Sequence, residues 1–215
     1  MASSIAPEAE RAARAAGEAP AIALELEGLD LGGTAILGAL ALAVAPGETV
    51  AITGPSGVGK TTLLRVLAGL QRGYRGRLRP ARRLSMVFQE PRLLPWRTAA
   101  ENLTLTAGLR PADVEPALAR VRLAGKGGHY PGELSLGQQR RLALARAFAI
   151  RPTVLLMDEP FVSLDPALAL EMMELFSTLR AESGVATLLV THEAREAERL
   201  ADRVLRLEGS PARFA

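Results

Sequence analysis

The chain has 215 residues, a length that suits a single α/β domain, and 48% of them are hydrophobic, enough for a substantial core. It contains no cysteine, which excludes disulfide bonds and thiolate metal sites, and no uncharged apolar run reaches the length of about 18 residues that a membrane span requires. The 26 Lys and Arg residues and the 23 Asp and Glu residues are spread along the chain, so the net charge of +3 gives little support to nucleic-acid binding.

Short strand patterns precede a glycine-rich loop. Residues 1–20 are rich in Ala, Glu and Arg and lack an apolar stripe, so we expect a poorly ordered N-terminal tail. Residues 22–29 alternate apolar and acidic positions, which is typical of an antiparallel edge strand, and residues 36–44 form a second apolar segment. A short buried strand is predicted at 49–53, and a helix follows the loop at about 60–68.

A basic cluster follows this helix and consists of Arg72, Arg75, Arg77, Arg79, Arg82 and Arg83. A solvated loop and strand edge is the main interpretation, and contact with anionic lipid head groups or with a partner is the alternative. The next buried strand is predicted at 84–88. From residue 90 to about residue 151 the pattern is helical, with several prolines as breaks.

Strand and helix patterns alternate in the last part of the chain. The predicted elements are strands at 153–157, 186–190 and 204–207 and helices at 166–182 and 193–201. We therefore predict an α/β fold with a mostly parallel sheet core, an antiparallel β edge and a helical subdomain inserted at about 90–151. One domain would span residues 21–209, and residues 210–215 would form a C-terminal tail.

The glycine-rich loop matches the pattern G-x-x-x-x-G-K-[ST] between a buried strand and a helix, which is the context of a P-loop. Backbone N–H groups and the helix N-terminus can surround phosphate oxygens, Lys60 can reach the β- and γ-phosphates, and the Thr61 hydroxyl can ligate Mg²⁺. Only Lys60 and Lys126 are lysines among the 26 basic residues, so we expect Lys60 to stand where Arg cannot substitute. The predicted nucleotide contacts are Gly54, Pro55, Ser56, Gly57, Val58, Gly59, Lys60, Thr61 and Thr62.

Candidate catalytic groups follow three of the predicted strands. Asp158 and Glu159 end an apolar strand, where carboxylates are costly unless they hold a cation or a proton, so Asp158 is predicted to orient Mg²⁺ and Glu159 to act as the general base. Two acids at a solvated strand exit are the alternative. Gln89 could contact both the metal and the attacking water, with an ordinary surface Gln as the alternative. His192 could hydrogen-bond a γ-phosphate.

Ser135 and Gln138 stand three residues apart at the start of a long amphipathic helix. This spacing is that of a capping box, which is a sufficient structural explanation. The same helix N-terminus, with a free hydroxyl at Ser135 and a glycine at Gly137, is also suited to an anion. In that interpretation the phosphate belongs to the nucleotide of another subunit.

In this order and spacing the motifs resemble those of the ABC ATPase family, over about residues 21–209. The resemblance identifies the P-loop as Walker A, Gln89 as the Q-loop residue, 134–138 as the signature, 154–158 as Walker B, 163–165 as the D-loop and His192 as the switch histidine. It implies a P-loop NTPase fold of ABC ATPase type, ATP and Mg²⁺ as cofactors, and ATP hydrolysis. It also implies a head-to-tail dimer, in which each ATP lies between Walker A of one copy and the signature of the other.

The segment 87–98, together with Glu101, Asn102 and Leu103, resembles the ATPases of nitrate, sulfonate and taurine importers. In those proteins this segment meets the permease, so the resemblance implies transmembrane permease subunits docking near residues 89–98, where exposed Leu94 and Trp96 would suit an apolar helix. It further implies an indirect role for a solute-binding protein and a peripheral position on the cytoplasmic face of the bacterial inner membrane. No nucleic-acid partner is expected.

Two residues depart from the family pattern. Leu136 stands where the signature has Gly, which puts the dimer contact in question. Leu31 stands where an aromatic residue usually stacks on adenine, so we expect the phosphates to supply most of the affinity. The alternatives to a transport ATPase are a soluble ABC ATPase acting on nucleic acid or ribosomes, and a hydrolysis-deficient ATP-binding regulatory module, which the retained Glu159 and His192 disfavour.

Overall fold

The computed structural model describes residues 19–215, in which ten strands belong to one sheet. The strands are β1 (Ile22–Leu31), β2 (Thr34–Leu37), β3 (Leu40–Val44), β4 (Thr49–Thr53), β5 (Arg75–Arg79), β6 (Leu84–Val87), β7 (Val154–Asp158), β8 (Ala186–Val190), β9 (Arg203–Gly209) and β10 (Ala212–Phe214). Parallel pairing in the order β9-β4-β8-β7-β6 makes the core, whereas β1 pairs antiparallel with β2, β3 and β5. The predicted mostly parallel α/β sheet with an antiparallel region is confirmed.

Six α-helices lie in the described part of the chain. They are α1 (Lys60–Leu67), α2 (Ala99–Ala107), α3 (Pro111–Arg120), α4 (Leu136–Ala149), α5 (Pro166–Ser183) and α6 (Ala194–Leu200). Helices α2, α3 and α4 fall between β6 and β7, inside the predicted helical insert, and pack together through fully buried Leu103, Leu118 and Leu142. None of the helices within residues 19–215 combines the length and the apolar character needed to cross a bilayer.

Strand β1 is not an edge strand, contrary to the sequence interpretation. Ala23 pairs with Ala43 of β3 on one side and with Arg79 of β5 on the other. The apolar and acidic alternation arises because one face of the strand points into the core, where Leu24 is 1% exposed, while Glu25 points to solvent. Alternation therefore reports which face is buried and carries no information about the number of neighbouring strands.

The C-terminal residues 210–215, expected to be a tail, contain β10. Ala212 is fully buried and pairs with Gly209 of β9 and with Leu37 of β2, which joins the antiparallel strands to the parallel core. A strand of three residues is too short for a period-two pattern to reveal it. The predicted N-terminal tail, 1–20, lies almost entirely outside the described residues.

Candidate active site

The carboxyl ends of β4, β7 and β8 lie side by side because these strands are parallel and in register. Val190 of β8 pairs with Ile52 of β4 and with Asp158 of β7. The glycine-rich loop, Glu159 and His192 begin at or just beyond these positions. Since parallel sheets bind ligands at the carboxyl ends of their strands, the fold brings three separate sequence motifs to the edge where a ligand is expected.

The glycine-rich loop is held close to its neighbours by backbone conformations that favour glycine. The φ angles of Gly54, Gly57 and Gly59 are 146°, 77° and 114°. A Cβ at Gly54 would lie 2.2 Å from the carbonyl oxygen of Leu207, and one at Gly59 would lie 2.9 Å from Leu37 Cδ2. The loop thus packs closely against β9 and β2, at a distance that only glycine permits at these two positions.

Replacing Gly54 with Ala should destabilise the protein by more than about 2 kcal/mol, because the new methyl group meets backbone in addition to an unfavourable φ. Gly57→Ala is the matched control, since Gly57 also has a positive φ but a Cβ there meets no atom within 4 Å. The midpoints of urea unfolding curves measure both variants. Equal losses of stability in the two variants would show that the positive φ alone, and not contact with Leu207, requires glycine at position 54.

Lys60 lies inside the loop. Its ammonium group donates hydrogen bonds to the carbonyl oxygens of Gly54 and Pro55, at 2.8 Å and 2.9 Å, and the residue is only 5% exposed. Its Nζ also lies 3.9 Å from Glu159 Oε1. A positive charge within a loop at a helix N-terminus suits phosphate oxygens, and exposed Ser56 and its neighbours leave the loop accessible to them.

Thr61 and Asp158 lie together, as their predicted shared role requires. Thr61 Oγ1 donates a hydrogen bond of 3.0 Å to Asp158 Oδ1. Burial raises the pKa of Asp158 above its ordinary value, and the bond from Thr61 opposes that shift in part. A hydroxyl and a carboxylate oxygen fit Mg²⁺, which takes one or two protein ligands and completes its octahedron with phosphates and water. Within residues 19–215 no three or more His, Cys, Asp or Glu side chains are grouped so that they could hold a metal ion.

Glu159 is placed between a lysine and a histidine. Its Oε2 lies 3.3 Å from His192 Nδ1, and its Oε1 is the atom nearest Lys60. The backbone of Glu159 has a φ of 47°, a conformation that costs on the order of 1–3 kcal/mol for a non-glycine residue, and its N–H donates to the carbonyl of Val190 at 2.9 Å. Backbone strain of this kind concentrates at functional sites, so the geometry fits a carboxylate aimed at a reacting water.

Two residues that the sequence interpretation missed hold the histidine segment. The hydroxyl of Thr191 donates to Glu196 Oε2 at 2.5 Å and accepts a bond from the N–H of Glu193 at 3.0 Å. Glu196 is 8% exposed, and its burial raises its pKa. These contacts fix the turn that carries His192 into α6. In the sequence, Glu196 is an acidic residue on a short helix, and nothing distinguishes it from a Glu on a solvent-exposed helix face.

Arg140 also escaped the sequence interpretation. It is 8% exposed, and its guanidinium donates to the carbonyl oxygens of Pro160 and Val162 at 2.6 Å and 3.0 Å. It therefore ties α4, the helix that begins after Ser135, to the segment just beyond Glu159. Burial lowers its pKa. Its sequence signal was only an arginine on the buried side of an amphipathic helix.

Ser135, Gly137 and Gln138 lie away from the phosphate loop of their own chain. The capping box is present, since the N–H of Gln138 donates to Ser135 Oγ at 3.2 Å and the N–H of Ser135 donates to Gln138 Oε1 at 3.0 Å. These residues line a cavity of about 530 Å³ together with 163–165 and half-exposed Leu136, and no P-loop residue lines it. One chain alone does not bring the predicted signature to the predicted phosphate site.

Gln89 and Leu31 occupy less constrained positions. Gln89 is exposed just beyond β6, and its side chain makes no hydrogen bond within residues 19–215. Leu31 is 37% exposed at the end of β1, on the hairpin whose other strand supplies Leu37 against the P-loop. Leu31 thus belongs to the hairpin that contacts the loop, but its aliphatic side chain offers no stacking surface.

Comparison with known proteins gives one family. The sequence model of the ABC transporter family matches residues 37–162. The aliphatic sulfonates import ATP-binding protein SsuB of Granulibacter bethesdensis is 46% identical over 193 residues, which cover 89% of this chain and 81% of that protein. The aliphatic sulfonates import ATP-binding protein SsuB 1 of Streptomyces avermitilis is 44% identical, and the match covers 92% of this chain and 78% of that protein. The protein of the same description in Pseudomonas fluorescens is 48% identical, and the match covers 80% of this chain and 68% of that protein.

Proposed function

Because the chain belongs to the ABC transporter family, as an ATP-binding and hydrolysing subunit, we propose that it powers import of an aliphatic sulfonate or a similar small organic anion. Its relatives in Granulibacter and Streptomyces are described as aliphatic sulfonate import proteins at more than 40% identity over most of both chains. The observation that carries hydrolysis is Glu159, placed between Lys60 and His192 at the carboxyl edge of the sheet. A regulatory module that binds ATP without hydrolysing it would not require a carboxylate between Lys60 and His192.

The proposed hydrolysis divides the work among the residues of this edge. The N–H groups of the P-loop and the Lys60 ammonium bind the phosphates, and Glu159 accepts a proton from the attacking water. His192 orients Glu159 and hydrogen-bonds the γ-phosphate. Thr61 and Asp158 would hold Mg²⁺, with Gln89 as a further contact. When bound, this ion neutralises charge that develops on the phosphate oxygens.

We infer that the working unit is a head-to-tail homodimer. The support is the separation within one chain between the P-loop and the cleft of Ser135, Gly137 and Gln138. A second copy related by two-fold symmetry supplies each P-loop with the other chain's signature, and each copy contributes the same two surfaces. Leu136, half-exposed at that cleft, would then lie at the contact between copies.

The permease is proposed to dock at the segment 89–98, on the cytoplasmic face of the inner membrane, with a solute-binding protein on the far side. Trp96 is 68% exposed there. Fully buried Asn102 holds the segment in place, because its side chain accepts from the N–H of Leu94 and donates to the carbonyls of Leu94, Arg97 and Thr98. Leu94 is half-buried, so Trp96 is the main apolar contact offered, contrary to the expectation of two exposed side chains.

Trp96→Ala should weaken assembly with the permease about 30-fold, because a buried interface Trp contributes about 2 kcal/mol or more. Purified chain, permease and solute-binding protein in liposomes would be assayed for sulfonate uptake and for ATPase activity stimulated by the permease. Leu70→Ala is the control, since Leu70 is 66% exposed outside the docking segment. Stimulation by RNA in place of the permease would overturn the transport proposal and favour a soluble ABC ATPase.

A further inference from the structure

A cavity of about 690 Å³ lies at the opposite edge of the sheet from the P-loop. Arg83 and Thr153 in its wall directly precede β6 and β7, and Gly184 precedes β8, so the cavity opens at the amino ends of the parallel strands. No P-loop residue lines it, nor do Glu159 and His192. Its volume falls within the range of small-molecule binding sites.

The wall of this cavity is strongly basic. Its ionisable lining residues are Arg79, Arg82, Arg83, Arg120, Arg151 and Glu182. Glu182 pairs with Arg120, whereas the other four arginines form no ion pair with any of residues 19–215. Like charges gathered around one concave surface repel each other and focus a positive potential into it, which favours an anionic ligand.

At least one of these arginines has a fixed backbone. The hydroxyl of Thr153 accepts from the N–H of Arg83 at 3.2 Å and donates to its carbonyl oxygen at 3.0 Å. The N–H of Thr153 donates to the same carbonyl at 2.8 Å. The backbone of Arg83 is therefore attached to the start of β7, so its side chain extends from a fixed position in the cavity wall.

The floor of the cavity is apolar. Phe148, at the end of α4, is 7% exposed, and Pro152 beside it is buried. Pro20 and Pro46 add apolar surface to the walls. Guanidinium groups around an apolar floor differ from a plain basic surface, because they offer separate contacts to a charged head group and to a hydrocarbon body.

We propose that this cavity binds a soluble organic anion with a tetrahedral oxyanion head group, either a sulfonate or a phosphate monoester, on a short apolar body. The arginines bind the head group with paired N–H donors, and Phe148 and Pro152 contact the body. Arg120 and Phe148 belong to the helical insert, whereas Arg79 ends β5 and Arg83 directly precedes β6, so the ligand contacts the insert and the sheet at once. The sulfonate form rests on the proposed function, since import delivers sulfonates to this side of the membrane.

Calorimetric titration of the full chain, saturated with a non-hydrolysable ATP analogue to fill the P-loop, tests the cavity. Hexanesulfonate and hexyl phosphate are the probes, hexanol lacks the head group, and inorganic sulfate lacks the body. We expect saturable binding of one probe molecule per chain and much weaker binding of hexanol and sulfate. The double variant Arg79→Ala, Arg83→Ala should lose about tenfold or more in affinity, because hydrogen bonds to a charged group are removed.

The double variant Arg72→Ala, Arg77→Ala is the matched control, since it removes the same charge from the same basic cluster but outside the cavity. Equal loss in both double variants, no saturable binding of either probe, or sulfate binding as tight as hexanesulfonate would each overturn the proposal. Binding only to phosphatidylglycerol vesicles would also overturn it, by placing the head group on a lipid. Hexyl phosphate binding without sulfonate uptake in liposomes would reject the proposed function and leave the cavity proposal standing.

Discussion

Glu159→Gln is expected to lower ATP turnover by about 10²- to 10⁴-fold while nucleotide binding is kept, because a general base contributes that factor. The amide has nearly the shape of the carboxylate and can still contact Lys60 and His192, but it cannot accept the proton of the attacking water. The backbone of residue 159 has a strained φ of 47°, which the change preserves, while it removes the carboxylate's charge and its ability to accept a proton. ATP-bound dimers should accumulate as a result.

Single-turnover hydrolysis, equilibrium binding of a fluorescent ATP analogue and size-exclusion chromatography in ATP together measure this effect. Glu193→Gln is the control, because Glu193 also approaches His192, with its Oε1 3.6 Å from Nε2, but extends into solvent. If Glu193→Gln lost turnover and Glu159→Gln kept it, Glu193 and not Glu159 would be the general base. Loss of ATP binding by Glu159→Gln would mean that its charge serves binding instead.

Much of the parallel core could be predicted because its signals are local. Residues 49–53 and 186–190 are short apolar runs that become strands with the predicted bounds, since strands buried on both faces need no alternation. The antiparallel region was harder to predict. The neighbours of β1 and the existence of β10 depend on pairings between distant segments, and three residues such as Ala212–Phe214 acquire their conformation from β9 and β2.

In the candidate site, too, the features that could be predicted are local, and those that were missed depend on contacts between distant residues. The P-loop can be recognised because its glycines and Lys60 act within eight consecutive residues. The contact of Glu159 with His192 joins residues 33 positions apart and needs the register of β7 and β8. Arg140 and Glu196 were missed because the groups they hold are backbone carbonyls and a hydroxyl, which leave no pattern in sequence. At Ser135 a helix cap and a phosphate contact use the same atoms, so sequence alone cannot separate them.

Lys60→Arg is expected to weaken ATP binding by about tenfold to a hundredfold even though the charge is kept. The ammonium lies almost fully buried, with carbonyl oxygens of Gly54 and Pro55 at 2.8 Å and 2.9 Å. A guanidinium is larger and planar, and its N–H groups lie in a fixed fork, so it cannot take the position of the compact ammonium between these two acceptors. We therefore expect that a chain with 24 arginines and two lysines has a lysine here for that geometric reason.

Lys126→Arg is the matched control, because it makes the same replacement at the other lysine, in a loop between α3 and α4 where Nζ lies 3.5 Å from a ring nitrogen of His129. Binding of the fluorescent ATP analogue compares the two variants, and urea unfolding shows whether each is folded. If a folded Lys60→Arg variant binds ATP as tightly as the unmodified chain, residue 60 contributes only its positive charge to binding. The low number of lysines in the chain would then say nothing about the role of residue 60. Weak binding by Lys60→Arg alone would show that the shape of the cation, which must fit between the carbonyl oxygens of Gly54 and Pro55, determines the affinity for ATP.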